Sequence, residues 1–200
     1  MNFWNERYQE PGKAYGMEPN EFVRTHAQAL RRGNILSLCE GEGRNAVFLA
    51  QLGHTVAAVD GSEVGLKNAH QLAISRGVTI HTRVADMADY VIKPDSWDGI
   101  ILIFAHLPRF IRQRIHRDAV AGLRTGGLLV FESYDISQLH YGTGGPKNPE
   151  MLATLEETMA DFNPLTFLIA RQIDRQIHEG AFHNGLGSVI QILARKMEAA

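Results

Sequence analysis

Short apolar runs alternate with amphipathic stretches along most of the chain. "NILSLCE" reads as a buried strand and "RNAVFLAQLG" as a helix with Gly53 beyond its end. "HTVAAVD" predicts a second strand. "SEVGLKNAHQLAISRG" predicts a helix, with Ser62 as N-cap, Glu63 in its first turn and Gly77 as its stop. "VTIHTRVAD" and "SWDGIILIFAHL" predict two more strands. The run Ile100 to Phe104 is apolar on both faces, as in a central strand of a parallel sheet covered on both sides. "PRFIRQRIHRDAVAGLRTGG" predicts a helix opened by Pro108, striped by Ile111, Ile115, Ala119 and Leu123 and ended by Gly126-Gly127. "LLVFESY" predicts the fifth strand. Ahead of all this, "EPNEFVRTHAQALRRG" reads as a helix opened by Pro19 and stopped at Gly33.

The rhythm changes at the end. After a helix around residues 151–162 come "LTFLIARQIDRQI" and "GSVIQILARK", separated only by "HEGAFHNGL". That link is too short for a crossover, so the two strands are antiparallel. The expected fold is a doubly wound, Rossmann-like α/β sheet of seven strands, mostly parallel, with an antiparallel C-terminal hairpin. Residues 1–33 form an N-terminal flap and first helix, and 34–200 the ligand-binding body of a single domain.

Composition narrows the partners. Twenty Lys and Arg against twenty-two Asp and Glu give a formal charge of -2, which argues against a nucleic-acid partner. Cys39 is the single cysteine and lies in an apolar run, where it reads as a small core residue. No intrachain disulfide can form, which fits a cytoplasmic setting. No run is long enough to span a bilayer. Nine scattered histidines and one cysteine make no convincing metal set.

The chemistry concentrates in "CEGEGRNAVFLAQLGHTVAAVD". Gly41-x-Gly43-x-x-Ala46 satisfies a dinucleotide fingerprint, and Asp60 ends the next strand, where it can hold two ribose hydroxyls. Both features also suit S-adenosylmethionine. Three others favour that donor. Glu40, just before the turn, would repel a pyrophosphate but suits an ammonium or sulfonium. Asp86, followed by Met87, can accept from an adenine amino group while Met87 packs on the ring. The antiparallel hairpin is foreign to the dinucleotide fold.

On these pieces, with "YGMEPNEFV", "WDGIILIFAHLP", "LRTGGLLVFESY", "YGTGGPKNPEML" and "HEGAFHNGLGSVIQILARK", the chain resembles class I S-adenosylmethionine-dependent methyltransferases. Within them it is most similar to the tellurite-resistance and thiopurine-methyltransferase-like group. Asn45 stands where many members of the class have a third glycine, a feature the G-R-N subgroup shares. The resemblance implies that Gly41 and Gly43 line the methionine part, with Glu40, Arg44 and Asn45 nearby. It places Asp60, Gly61 and Ser62 at the ribose and Asp86 and Met87 at the adenine. Phe104, Ala105 and His106 would floor the methyl-transfer site, and S-adenosyl-L-homocysteine would be the product.

Methyl transfer from a sulfonium is an in-line displacement for which a soft nucleophile needs alignment and little else, whereas an amine or hydroxyl needs a base. His106, Tyr134, His140 and His183 are the candidates. Phe3, Trp4, Tyr8 and Tyr15 suggest a flap over the donor, and the loop 140–150 a lid. The acceptor is expected to be a small molecule. The rival readings are an NAD(P)-dependent oxidoreductase and a non-enzymatic module that binds the methyl donor.

Overall fold

The structure, a computed structural model, describes residues 3–9, 14–180 and 182–198. Seven strands form one sheet: β1 (Asn34–Leu38), β2 (Thr55–Asp60), β3 (His81–Val84), β4 (Trp97–Ile103), β5 (Leu123–Tyr134), β6 (Thr166–Glu179) and β7 (His183–Arg195), in the order β3-β2-β1-β4-β5-β7-β6. The first five pair in parallel, and β7 pairs antiparallel with both β5 and β6. The helices are α1 (Phe3–Gln9), α2 (Glu21–His26), α3 (Arg44–Gln51), α4 (Glu63–Ser75), α5 (Arg109–Gly122) and α6 (Leu155–Asp161). Apolar clusters pack on both faces of the sheet. One holds Ile35, Leu49 and Ile101, the other Leu36, Ile100 and Phe162, which is why β1 and β4 are apolar throughout.

Several boundaries differ from those predicted. Asn20, not Pro19, caps α2. Its side chain accepts from the backbone N–H groups of Phe22 and Val23, and the helix tightens into a 3-10 turn after His26. The third strand shrinks to His81–Val84, an exposed edge paired only with β2. Helix α5 stops at Gly122, not Gly126, because Leu123 turns extended and pairs with Trp97. The helix expected at 151–162 starts at Leu155, behind a capping box of Thr154 and Glu157. The C-terminal hairpin is far tighter than the predicted loop. Pairing continues to Glu179 opposite His183, so His178 and His183 lie on strands.

Candidate active site

A cavity of about 340 Å³ opens at the carboxyl ends of β1, β2 and β4, where ligands bind in this class of sheet. Its donor half is built from backbone. Gly43, at φ 88°, caps α3, and a Cβ there would lie 2.5 Å from the Ala69 Cβ, so this glycine lets α3 and α4 close on one another. Glu40 turns its carboxylate under the same helix. Oε1 accepts from the N–H groups of Asn45 at 3.0 Å and Ala46 at 2.9 Å, and Oε2 accepts from the Ser37 hydroxyl. Burial raises the Glu40 pKa against those bonds and the Arg44 charge.

Asp60 is held the same way. One oxygen accepts from Gly41 N–H at 2.9 Å and the other from Ser62 N–H at 2.8 Å, while burial raises its pKa. The Gly61 N–H adds a third backbone donor, and of the about four acceptor positions of a carboxylate one then remains for a ribose hydroxyl. Asp86 begins the turn after β3, accepts from Ala88 N–H at 2.8 Å and borders the cavity beside buried Met87. The residues present could hold an adenosyl donor: Asp60 offers an acceptor suited to a ribose, and Asp86 and Met87 offer an acceptor and an apolar face suited to a base.

The acceptor half is built from rings. Phe104 leaves β4 with φ 51°, an unusual conformation for a bulky residue that turns its ring and His106 toward the cavity. His183 stands 4.5 Å from Phe104 and 4.6 Å from Tyr15, centroid to centroid. His106 stacks on Tyr134 at 5.5 Å, and its Nδ1 lies 3.4 Å from the Ser133 hydroxyl. Burial pushes the His106 pKa down to about 4 and that of His183 well below the usual histidine range, so both rings are neutral at physiological pH. Burial likewise pushes the Tyr134 and Cys39 pKa values up, which keeps phenol and thiol protonated.

Of the residues singled out in the sequence, Glu40, Arg44, Asn45, Asp60, Gly61, Asp86, Met87, Phe104, His106 and His183 border the cavity. Gly41, Gly43, Ser62, Ala105 and Tyr134 do not. Gly41 supplies an N–H to Asp60, and Ser62 caps α4 through Gly65 N–H. Ala105 is buried in the core, and Tyr134 sits behind Phe104 and His183. His140 is exposed and away from the cavity, at the end of a 3-10 turn. Trp4, Tyr8 and Tyr15 do reach the cavity, whereas Phe3 is exposed. Among the described residues no group of three or more His, Cys, Asp or Glu is placed to hold a metal ion.

A buried charge network went unseen in the sequence. Glu132 on β5 accepts from Asn20 Nδ2 at 2.9 Å and from Arg175 and Gln191. Glu179 accepts from Arg44 at 2.6 Å, Asn20 at 2.9 Å and Arg175 at 3.0 Å. The network ties α2, α3 and the hairpin to the floor of the site and fixes Arg44. Its only local trace is an acid, Glu132, directly after the apolar run 128–131 of β5. Glu42 was missed too. It accepts from Ala14 N–H at 2.9 Å and Asn68 Nδ2 at 3.0 Å, docking the N-terminal segment on α4.

Comparison with known proteins agrees with this geometry. Residues 35–127 match the family described as "Methyltransferase domain". A 2-heptyl-1-hydroxyquinolin-4(1H)-one methyltransferase of Mycobacteroides abscessus is 24% identical over 162 residues, spanning 77% of this chain and 71% of that protein. TehB from Haemophilus influenzae shares the fold with a TM-score of 0.75 at 18% identity, over 97% of this chain and 66% of TehB. The N-methyltransferase NodS from Bradyrhizobium japonicum does so with a TM-score of 0.67 at 17% identity, over 89% of this chain and 93% of NodS. Residues 35–127 carry a methyltransferase domain, and the relative and the shared fold support the class I S-adenosylmethionine-dependent methyltransferases that the sequence resembles.

Proposed function

We propose that the protein transfers the methyl group of S-adenosylmethionine to a small-molecule acceptor by in-line displacement. The observation that carries the choice of donor is the Glu40 carboxylate. It already occupies the first N–H groups of α3, the groups a dinucleotide-binding fold leaves to the pyrophosphate. A negative charge buried there repels phosphate and suits a donor that brings an ammonium and a sulfonium to the turn. The small-molecule acceptor is supported by the named substrate of the Mycobacteroides relative and by the enclosure of the cavity.

In this reading residues 1–33 are a flap over the body formed by 34–200, although residues 1, 2 and 10–13 lie outside the described part. Tyr8 supports it: its hydroxyl lies 2.5 Å from where a Gly41 Cβ would stand, so the ring lies directly against the glycine turn. The loop 140–150 is the acceptor-side cover, with Gly144 and Gly145 packed close to Tyr134. No described helix is long and apolar enough to cross a membrane. The single cysteine supports a cytoplasmic setting.

Thermal unfolding with S-adenosylmethionine, S-adenosylhomocysteine and NAD(P)H tests the donor. A ligand at a hundred times its dissociation constant stabilises by about 2.7 kcal/mol, a shift of several degrees. The midpoint is expected to rise with the two sulfur ligands alone. A rise with NAD(P)H alone would return the glycine turn to a dinucleotide. Donor binding without turnover across a broad acceptor panel would favour a non-enzymatic module.

A further inference from the structure

The rings at the acceptor end carry polar atoms that no described residue satisfies. Among the described residues, His183 Nδ1, His106 Nε2 and the Tyr134 hydroxyl have no hydrogen-bond partner, although all three are buried. Buried polar atoms left unpaired cost free energy that a ligand bringing donors and acceptors recovers. Around them Phe104, Tyr15 and His183 form an aromatic wall on the cavity, with centroids 4.5–4.6 Å apart between neighbouring rings, and Tyr134 packs behind it. Such a wall favours a flat ligand with a π face.

Charge selects further. Glu132 and Glu179 are engaged by Arg175, Arg44, Asn20 and Gln191, and Glu40 and Asp60 accept from backbone N–H groups in the donor half. Glu179 lies opposite His183 across the hairpin and is engaged by Arg44 and Arg175, and the other groups that act on the His183 charge are cationic or neutral. They are Arg7 from α1, Arg44 from α3, Arg175 from β6 and the His106 ring, and with burial they hold its imidazole in the neutral form. A cationic amine meets those cations at the His183 end of the cavity, whereas Glu40, Glu42, Asp60 and Asp86 line the rest of it. An acceptor that turns anionic at that end meets a neutral base and positive surroundings. Size selects as well, since about 340 Å³ is near the low end of the roughly 300–1,000 Å³ typical for one ligand and this cavity serves two.

Resting on the methyltransferase reading, we propose that the acceptor is a compact planar aromatic ring system bearing an acidic hydroxyl, seated against Phe104 and Tyr15, with His183 as its proton acceptor. The acceptor's O–H bond breaks and the proton passes to a ring nitrogen of His183. The freed oxygen pair forms the O–CH₃ bond as the S–CH₃ bond breaks, and that bonding pair stays on sulfur in the neutral thioether. His183 then returns its proton to solvent, so no oxidant or reductant is required.

Calorimetry with S-adenosylhomocysteine comes first, because a protein that does not bind it loses the methyltransferase reading and this one together. With that site established, 1-naphthol, 1-naphthylamine and 1-thionaphthol are titrated into the S-adenosylhomocysteine-loaded protein and assayed with the donor. The naphthol is expected to bind and to show kcat/KM at least about tenfold above the other two. His183→Gln is expected to keep its S-adenosylhomocysteine affinity and to lose about 100-fold or more in kcat with 1-naphthol. With 4-nitro-1-naphthol, already ionised near neutral pH, it should come within a few-fold of wild type, since no proton remains to be taken. Preference for the amine or thiol, or no naphthalene binding to the loaded protein, overturns the proposal on wild-type protein alone. An equal loss with both naphthols reduces His183 to a packing residue and overturns its assigned role.

Discussion

The two halves of the cavity differ in how their polar atoms are spent. In the donor half Glu40 and Asp60 are buried, yet both oxygens of each accept hydrogen bonds, three of the four from backbone N–H groups. In the acceptor half His183, His106 and Tyr134 each keep an unsatisfied atom inside an aromatic shell. The donor half is therefore stable without its ligand, because folding itself satisfies its charges. The acceptor half is held by ring packing and a strained Phe104, with polar valence left over. A shared donor needs the first arrangement, and a particular acceptor needs the second.

The largest expected effect comes from breaking the donor half at Asp60. Asp60→Ala removes the acceptors of two buried N–H groups at about 1–3 kcal/mol each, so it should lower stability as well as abolish donor affinity. Asp60→Asn keeps one oxygen and is the cleaner probe. Its S-adenosylhomocysteine affinity should fall by about 100-fold in calorimetry, with stability reduced by only about 1–3 kcal/mol in urea unfolding. Unchanged affinity in the Asn variant would take the ribose away from this residue.

Next comes the turn. Gly43→Ala places a Cβ against the Ala69 backbone, with Cα at 2.8 Å, at a φ of 88°, and should cost about 2–4 kcal/mol. Gly41→Ala, at a φ of 62°, meets instead the hydroxyl end of the Tyr8 side chain and no backbone. Paired chemical denaturation should rank Gly43→Ala well below Gly41→Ala in stability. Comparable losses would mean that the flap is as fixed as the helix pair.

What was legible in the sequence follows the same division. Strand–helix alternation, the glycine turn and the acids after β1 and at the end of β2 are local patterns, and they predicted the sheet and which residues gather at its carboxyl edge. The acceptor half depends on meetings across the chain. Tyr15, Phe104 and His183 come together from the N-terminal segment, β4 and β7, and Asn20 reaches both Glu132 and Glu179. No spacing rule marks such contacts. The hairpin misled for a local reason: glycines and polar residues between 178 and 187 read as loop, whereas pairing runs through them as far as Glu179. The capping box Thr154-x-x-Glu157 was visible and would have set the start of α6 correctly.

A smaller effect should separate the halves by pH. His106 has a folded pKa depressed to about 4 by burial, so the unfolded chain binds its proton more readily. Its contribution to stability is complete above the unfolded value near 6.5 and is lost as pH falls toward 4. The loss is about 1–3 kcal/mol, kept below the full conversion because one edge of the ring reaches the cavity. Glu40 and Asp60 have raised values and work in the opposite sense: their contribution is lost as pH rises through the folded pKa. His106→Gln should therefore flatten the stability profile between pH 6.5 and 4. An unchanged slope there would assign the acid sensitivity to other buried histidines, such as His116 beside Asp161.

The smallest effect is the most telling for the comparison, because it trades one property for the other. Tyr134 is 1% exposed and its hydroxyl has no partner among the described residues. Removing an unsatisfied buried hydroxyl without changing the ring relieves a desolvation cost, so Tyr134→Phe should raise stability by up to about 1 kcal/mol. A comparable deletion in the donor half, Ser37→Ala, removes a hydroxyl that donates to Glu40 and should cost about 1–2 kcal/mol. Opposite signs in thermal unfolding would show that polar valence is spent in the donor half and left over behind the ring wall of the acceptor half. Destabilisation by both would mean that the Tyr134 hydroxyl is already satisfied in solution, and the two halves of the cavity would then differ in shape alone.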